Sequence, residues 1–378
     1  MAQTRAAFLH SPEIERYHYP PDCPLKTERA GMTRRILDRM GLLSGPDRTE
    51  AGFEAAPRRV LERFHTPRYL DAMQRTAAGD LDVAALGMGF GTPEVPVFRE
   101  MYDYAALACG ATLRGADLLV HEEAEVAFNP SGGYHHAGPE AASGFCYIND
   151  VALACLVLAD RFDRVLFLDV DVHHGDGVQD FFYDRADVMT MSFHESGDTL
   201  FPGTGFQNEI GTGEGRGYSV NVPLPVGTYD AAYVRVFEAT AVPLIRAYDP
   251  DVIVFEVGAD GLAGDPLAFL CLTNNVHERI TRRVTAFGKP VLATGGGGYH
   301  PENTARAWAL VWCALSGEES QAEMTLGLGG VMLESTDWQA GLRDRELPPI
   351  SMQRRIVDPA IDETIEKVRA NVFAIHGL

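Results

Sequence analysis

What most limits the possible folds of this chain is a series of short, nearly unbroken apolar runs: Val126-Ala127-Phe128, Val165-Leu166-Phe167-Leu168, Val188-Met189-Thr190-Met191, Val252-Ile253-Val254-Phe255 and Val291-Leu292-Ala293. Each is followed by a polar or glycine-rich turn. Continuous rather than alternating apolar character predicts strands buried on both faces, the condition of a parallel sheet covered by helices. Helical stretches lie between the runs. Asn149-Asp150 is placed to cap an apolar Val151–Ala159 segment, and Asp230 to Tyr248 reads as a helix ending before Asp249-Pro250. Alternating strand and helix predicts a single α/β sandwich, in which ligands bind beyond the carboxyl ends of the strands.

The last sixty residues differ. A stretch with Gly327, Gly329 and Gly330 leads to Pro348-Pro349 and a final helix whose Ile361, Ile365, Val368, Val372 and Ile375 follow helical spacing. That stripe either docks on the main body or receives a partner. The 32 basic residues against 53 acidic ones give a formal charge of -21. Such a surface repels phosphate backbones and anionic lipid, which argues against nucleic acid and membrane partners. It either only maintains solubility or attracts cationic substrates such as lysine-rich tails and polyamines. Six cysteines without a C-x-x-C pair predict reduced thiols. No basic head with an apolar core opens the sequence, and the longest apolar run is too short for a bilayer, so the cytoplasm is the expected compartment.

Chemistry concentrates in four segments. In Leu168-Asp169-Val170-Asp171-Val172-His173-His174-Gly175-Asp176-Gly177, carboxylates and imidazoles cluster at a strand end, where buried charge needs a remedy such as a divalent cation. An extended chain would put Asp169, Asp171 and His173 on one face. A second strand end delivers Asp260. Two carboxylates and one imidazole leave a metal an open position, the mark of a catalytic site. In Ser131–Gly138, His135 and His136 would point to different sides, each with its own carboxylate, Asp169 and Asp176 being available. In Thr294–Tyr299 the glycines allow close backbone approach, and Tyr299 is a candidate oxyanion donor.

The motifs GGYHHA, SGFCYIND, LDVDVHHGDGVQ, FPGTG, GYSVNVPLP, GADGLAGDPL and GGGGY, in this order, resemble the histone deacetylase superfamily, close to its bacterial acetoin-utilisation branch and to class I deacetylases. The resemblance implies a single-domain arginase/deacetylase-like three-layer sandwich with a central, mostly parallel sheet. The catalytic domain would span residues 1–318, with 319–378 as an extension whose terminal amphipathic helix packs on it. It implies a zinc-dependent amidohydrolase removing acetyl or other short acyl groups from lysine side chains by attack of activated water. Zinc would be held by Asp171, His173 and Asp260. His136 would be general base and acid, oriented by Asp176; His135 would pair with Asp169, and Tyr299 would bind the oxyanion. Gly144, Phe145 and Phe201 would line an acyl-lysine tunnel, with Leu267 at its rim and Glu94 holding the substrate backbone. Structural potassium would involve Asp169, Asp171, His173, Ser192 and Phe193 at one site, and Phe182, Arg185, Val188 and Tyr218 at another.

Three alternatives stay open on sequence. Small N-acyl amines such as acetylpolyamines could replace protein substrates, although no long insertion narrows an entrance. A silent binding module is disfavoured because the motif residues are intact. A two-manganese arginase-type site would need a further spaced aspartate, whereas Gly261 follows Asp260. Iron(II), cobalt or manganese would also suit this hard ligand set. Gly211–Gly217 reads as a flexible turn rather than a phosphate loop, because no lysine followed by serine or threonine is present.

Overall fold

Eight strands form one sheet: β1 (Ala6–Leu9), β2 (Arg48–Ala51), β3 (Val126–Asn129), β4 (Val165–Asp169), β5 (Val188–Glu195), β6 (Ser219–Leu224), β7 (Val252–Glu256) and β8 (Val291–Thr294). They appear in a computed structural model that describes residues 5–318 and 341–378. The order is β2-β1-β3-β8-β7-β4-β5-β6. Every pairing between these strands is parallel, so the expected mostly parallel sheet is wholly so.

The sheet is buried on both faces, as the unbroken apolar runs require. On one face Leu166, Leu168, Met189, Met191, Ile253 and Phe255 join a core with helices Asp230–Tyr248, Asn274–Thr285 and Pro301–Leu315. On the other, Val165, Phe167, Val252, Val254 and Leu292 pack with helices Met101–Val120 and Asp150–Ala159. Alternate residues of each strand thus feed opposite layers. This is the three-layer α/β sandwich expected from the sequence. The Asn149 side chain accepts from Ala152 N–H and caps its helix. The helix from Asp230 to Tyr248 ends at Asp249 in the left-handed conformation.

The final helix spans Ser351–Val372. Its Val357, Ile361, Ile365, Val368 and Val372 enter the first core, so the stripe docks on the body. Ile375 does not continue it: it lies beyond the helix in a 3-10 turn and is 40% exposed, because the change of helical pitch breaks the periodicity. Gly327, Gly329 and Gly330 lie outside the described residues. Gly211–Gly217 is a turn with a short 3-10 segment, Gly213–Gly215. All six cysteines are unpaired. Among the described residues no helix is long and apolar enough to cross a membrane.

Candidate active site and metal centre

Loops after β3, β8, β7 and β4, which are consecutive in the sheet, converge at the carboxyl ends of these strands. β4 stops at Asp169, and the chain then turns: Asp169 Oδ1 accepts from Asp171 N–H at 3.0 Å, and Asp171 Oδ1 from His173 N–H at 2.9 Å. Side-chain acceptance from the amide two residues on makes a turn rather than extended chain. This overturns the expectation that Asp169, Asp171 and His173 share a face. Asp171 and His173 instead join Asp260, with ligand atoms all within 4.8 Å, while Asp169 joins His135 and Glu256 in a second cluster of the same span.

The Asp171–His173–Asp260 group is completely buried. His173 Nδ1 lies 2.9 Å from Asp260 Oδ2 and 3.2 Å from Asp171 Oδ1. Burial, then the charge of Asp171, raises the Asp260 carboxyl to about 7. The loops approach too closely for any side chain: a Cβ on Gly297 would fall 1.8 Å from Asp260 Oδ2, and one on Gly258 1.9 Å from Asp171 Oδ2. Two mutually repelling buried carboxylates and an imidazole, wrapped in bare backbone, fit a divalent cation.

His135 and His136 do not point to opposite sides. β3 ends at Asn129, and the loop brings their Nε2 atoms within 3.0 Å. Each Nδ1 does have its own carboxylate: His135 donates to Asp169 Oδ2 at 2.9 Å, and His136 to Asp176 Oδ1 at 2.7 Å. Both Nδ1 protons being committed, the contact between the Nε2 atoms needs one further proton. Burial and then the charge of His135 push His136 down to about 4, despite Asp176. Burial opposes protonation of His135, but Glu256 and then Asp169 raise it well above the ordinary imidazole range. The shared proton therefore sits on His135, and His136 Nε2 accepts from it as the neutral base.

Tyr299 is half-buried at the end of the glycine loop. Burial, then the charges of Asp260 and Asp171, raise its phenol well above the ordinary value, so it remains a donor. Its ring packs on Phe145 at 5.7 Å between centroids. Phe145 has a φ of 65°, a left-handed strain tolerated mostly at functional positions. A cavity of about 800 Å³ is lined by His136, His173, Gly144, Phe145, Phe201, Leu267 and Tyr299, together with the exposed Asp22 and Glu94. Phe201 meets His136 edge-on at 5.0 Å, and a Cβ on Gly144 would come 2.4 Å from the His136 ring. A further space of about 20 Å³ shares His136, His173 and Tyr299 and reaches Tyr134 and Cys146.

Several supporting residues had no site role assigned from the sequence. Arg29, 269 residues away, donates to the carbonyls of Gly298 at 2.7 Å and Gly296 at 3.0 Å. Asp265 accepts from Tyr299 N–H at 2.7 Å. Asp150 accepts from Gly133 N–H at 3.1 Å and Tyr134 N–H at 2.9 Å, and Asn149 donates to the carbonyls of His135 and Ala137. Of the residues expected at potassium, Ser192 Oγ bonds His194 Nδ1 at 2.8 Å, and Phe193 follows it on β5. Arg185 stacks on Phe182, Val188 opens β5 and Tyr218 precedes β6.

The sequence profile of the histone deacetylase domain matches residues 23–315. Histone deacetylase B of Dictyostelium discoideum is 39% identical over 311 residues, covering 81% of this chain and 72% of its own. Histone deacetylase clr6 of Schizosaccharomyces pombe is 36% identical over 373 residues, covering 98% and 91%. A solved structure of a histone deacetylase homologue from Aquifex aeolicus superposes with a TM-score of 0.86 at 31% identity, covering 97% of this chain and 100% of that one. With the sheet order, the buried metal-type cluster and the paired histidines in place, these similarities establish that the chain belongs to the histone deacetylase family and is a hydrolase that deacetylates amides.

Proposed function

We propose that the chain removes acetyl groups from lysine side chains of proteins with a single zinc ion held by Asp171, His173 and Asp260. The observation that carries this reading is that His173 of this cluster, His136 and Tyr299 line one cavity with Phe145, Phe201 and Gly144, while Asp171 and Asp260 lie against His173. The slot suits an uncharged acyl-lysine stem, Leu267 borders it, and Glu94 is exposed where a substrate backbone would pass. When bound, the metal supplies a Lewis acid and acidifies the attacking water; iron(II) or another divalent ion would serve the same ligands.

The remaining chemistry belongs to the protein. His136 Nε2 takes the proton of the water as it attacks and returns it to the leaving amine. Asp176 fixes the His136 tautomer that leaves Nε2 bare. His135, charged and paired with Asp169, stabilises the developing negative charge. The Tyr299 phenol donates to the carbonyl oxygen and more strongly to the oxyanion, an interaction worth about 3–4 kcal/mol. The space of about 20 Å³ behind these groups suits an acetyl methyl better than a longer chain. Residues 1–318 would carry the chemistry, the terminal helix serving as a brace. Structural potassium would sit at Asp169, Asp171, His173, Ser192 and Phe193, and at Phe182, Arg185, Val188 and Tyr218. Six unpaired thiols suit a reducing compartment such as the cytoplasm.

The test is amine release from an acetyl-lysine peptide by zinc-reconstituted protein. We expect turnover blocked by a hydroxamate, near background for His136→Ala, and lowered about 10²–10³-fold for Tyr299→Phe. Activity confined to acetylated polyamines or other small N-acyl amines would replace the protein substrate. Silence on every acylated amine, with metal bound, would refute the reading.

A further inference from the structure

Glu256, the last residue of β7, enters the chemistry assigned above only through the charge it lends His135. It is 0% exposed, and neither carboxylate oxygen has a hydrogen-bond partner among the described residues. Burying such a group without compensation is costly, so its surroundings must supply a reason for it. Sheet register puts it in one row with Thr294 on β8 and Asp169 on β4, their side chains on the same face. The Thr294 hydroxyl is also unpartnered. On the other side, Glu256 Oε1 lies 3.3 Å from His135 Nδ1, the nitrogen that donates to Asp169 Oδ2 at 2.9 Å.

We propose that Glu256 is a positioning residue for deacetylation: with Asp169 it clamps the Nδ1 edge of His135 from two adjacent strands and so aims Nε2 at His136. One hydrogen bond to Asp169 leaves the ring free to pivot about the N–O axis. A second carboxylate against the same nitrogen, on a neighbouring strand of the sheet, removes that freedom. The aim matters because His135 Nε2 approaches His136 Nε2 at 3.0 Å, and small displacements of such groups are costly in rate. The same three side chains, within 4.8 Å of one another, have the composition of a cation site. The clamp is favoured because His135 Nδ1 already serves Asp169.

The inference rests on the His136 chemistry proposed above, and its test separates the two. Zinc-loaded full-length protein, Glu256→Leu and Glu256→Gln are compared for kcat and KM on acetyl-lysine peptide, thermal melting and metal content. We expect Glu256→Leu to lower kcat about tenfold to a hundredfold with KM and zinc content unchanged. Glu256→Gln, which keeps an oxygen beside Nδ1, restores kcat to within about threefold of wild type. Independently of turnover, the far-downfield Nδ1–H proton resonance of His135 persists in Glu256→Gln and broadens or moves in Glu256→Leu. Wild-type kcat and an unchanged resonance in Glu256→Leu would overturn the clamp, as would a glutamine variant no better than leucine. Two divalent ions per wild-type chain, falling to one in Glu256→Gln, would replace the clamp by a second metal site. An inactive wild type whose His135 resonance still depends on Glu256 would refute the reaction and leave the clamp standing.

Discussion

His135 and His136 are neighbours in the chain yet donate from Nδ1 to different carboxylates, Asp169 at the end of β4 at 2.9 Å and Asp176 at the start of the next helix at 2.7 Å, while their Nε2 atoms face each other at 3.0 Å. Two imidazoles in contact thereby acquire opposite tendencies: His135 holds its proton, and His136, pushed down to about 4, stays neutral at ordinary pH. Charge and base are separated within one loop.

This arrangement makes Asp176→Asn informative. The amide can bond His136 Nδ1 as donor or acceptor, so the tautomer with a bare Nε2 is no longer enforced. We expect kcat to fall about 10²-fold or more with KM nearly unchanged, since Asp176 does not line the cavity. A loss expressed mainly in KM would contradict the role given to this carboxylate.

Arg29 holds the glycine loop from behind, bonding Gly296 and Gly298 and stacking on Trp308 at 4.9 Å. Replacement by methionine strands two carbonyls and loosens the segment that presents Tyr299. We expect stability to fall by about 2–4 kcal/mol and kcat by at least about tenfold. Lysine should rescue little, because it cannot span both acceptors. Denaturant titration and steady-state kinetics on both variants decide this.

Among the described residues, the cavity is bordered by Asp22 and Glu94 and by no lysine or arginine side chain. Acetylated peptides with basic flanks should therefore show higher kcat/KM than acidic ones, a preference that shrinks at high salt. Asp22→Asn with Glu94→Gln should reduce it. Equal rates for both peptide classes at low salt would show that these carboxylates do not choose the substrate.

His65 lies far in sequence from Asp171, His173 and Asp260, is 1% exposed, and its Nε2 accepts from Asn149 N–H at 3.0 Å. Acceptance requires the neutral ring, and burial lowers its pKa to about 3 from 6.5. Between those values the unfolded chain binds a proton that the folded chain refuses, so stability falls as pH falls through this window. Between pH 6.5 and 5 the loss attributable to His65 is about 2 kcal/mol. Urea titrations at both pH values should show that much less acid sensitivity in His65→Gln. Parallel losses in the two proteins would remove His65 from the account.

The sequence by itself determined the layers and the chemistry at the strand ends. Short apolar runs bounded by turns read as strands covered on both sides, and charged residues placed just after them, Asp171, His173 and Asp260, meet where parallel strands end. It also located the docked stripe of the last helix as far as Val372. What it could not determine was which strand lies beside which, and therefore who meets whom. Alternation told Asp169 and Asp171 to share a face, but two side-chain-closed turns sent one to His135 and the other to His173 and Asp260. Arg29, Asp265 and Glu256 were invisible because none sits in a pattern of its own. Each acts through a neighbour that only the order β3-β8-β7-β4 brings near. Local periodicity reports how a residue faces its own element; contacts across elements depend on strand order and register, which the whole chain settles together when it packs.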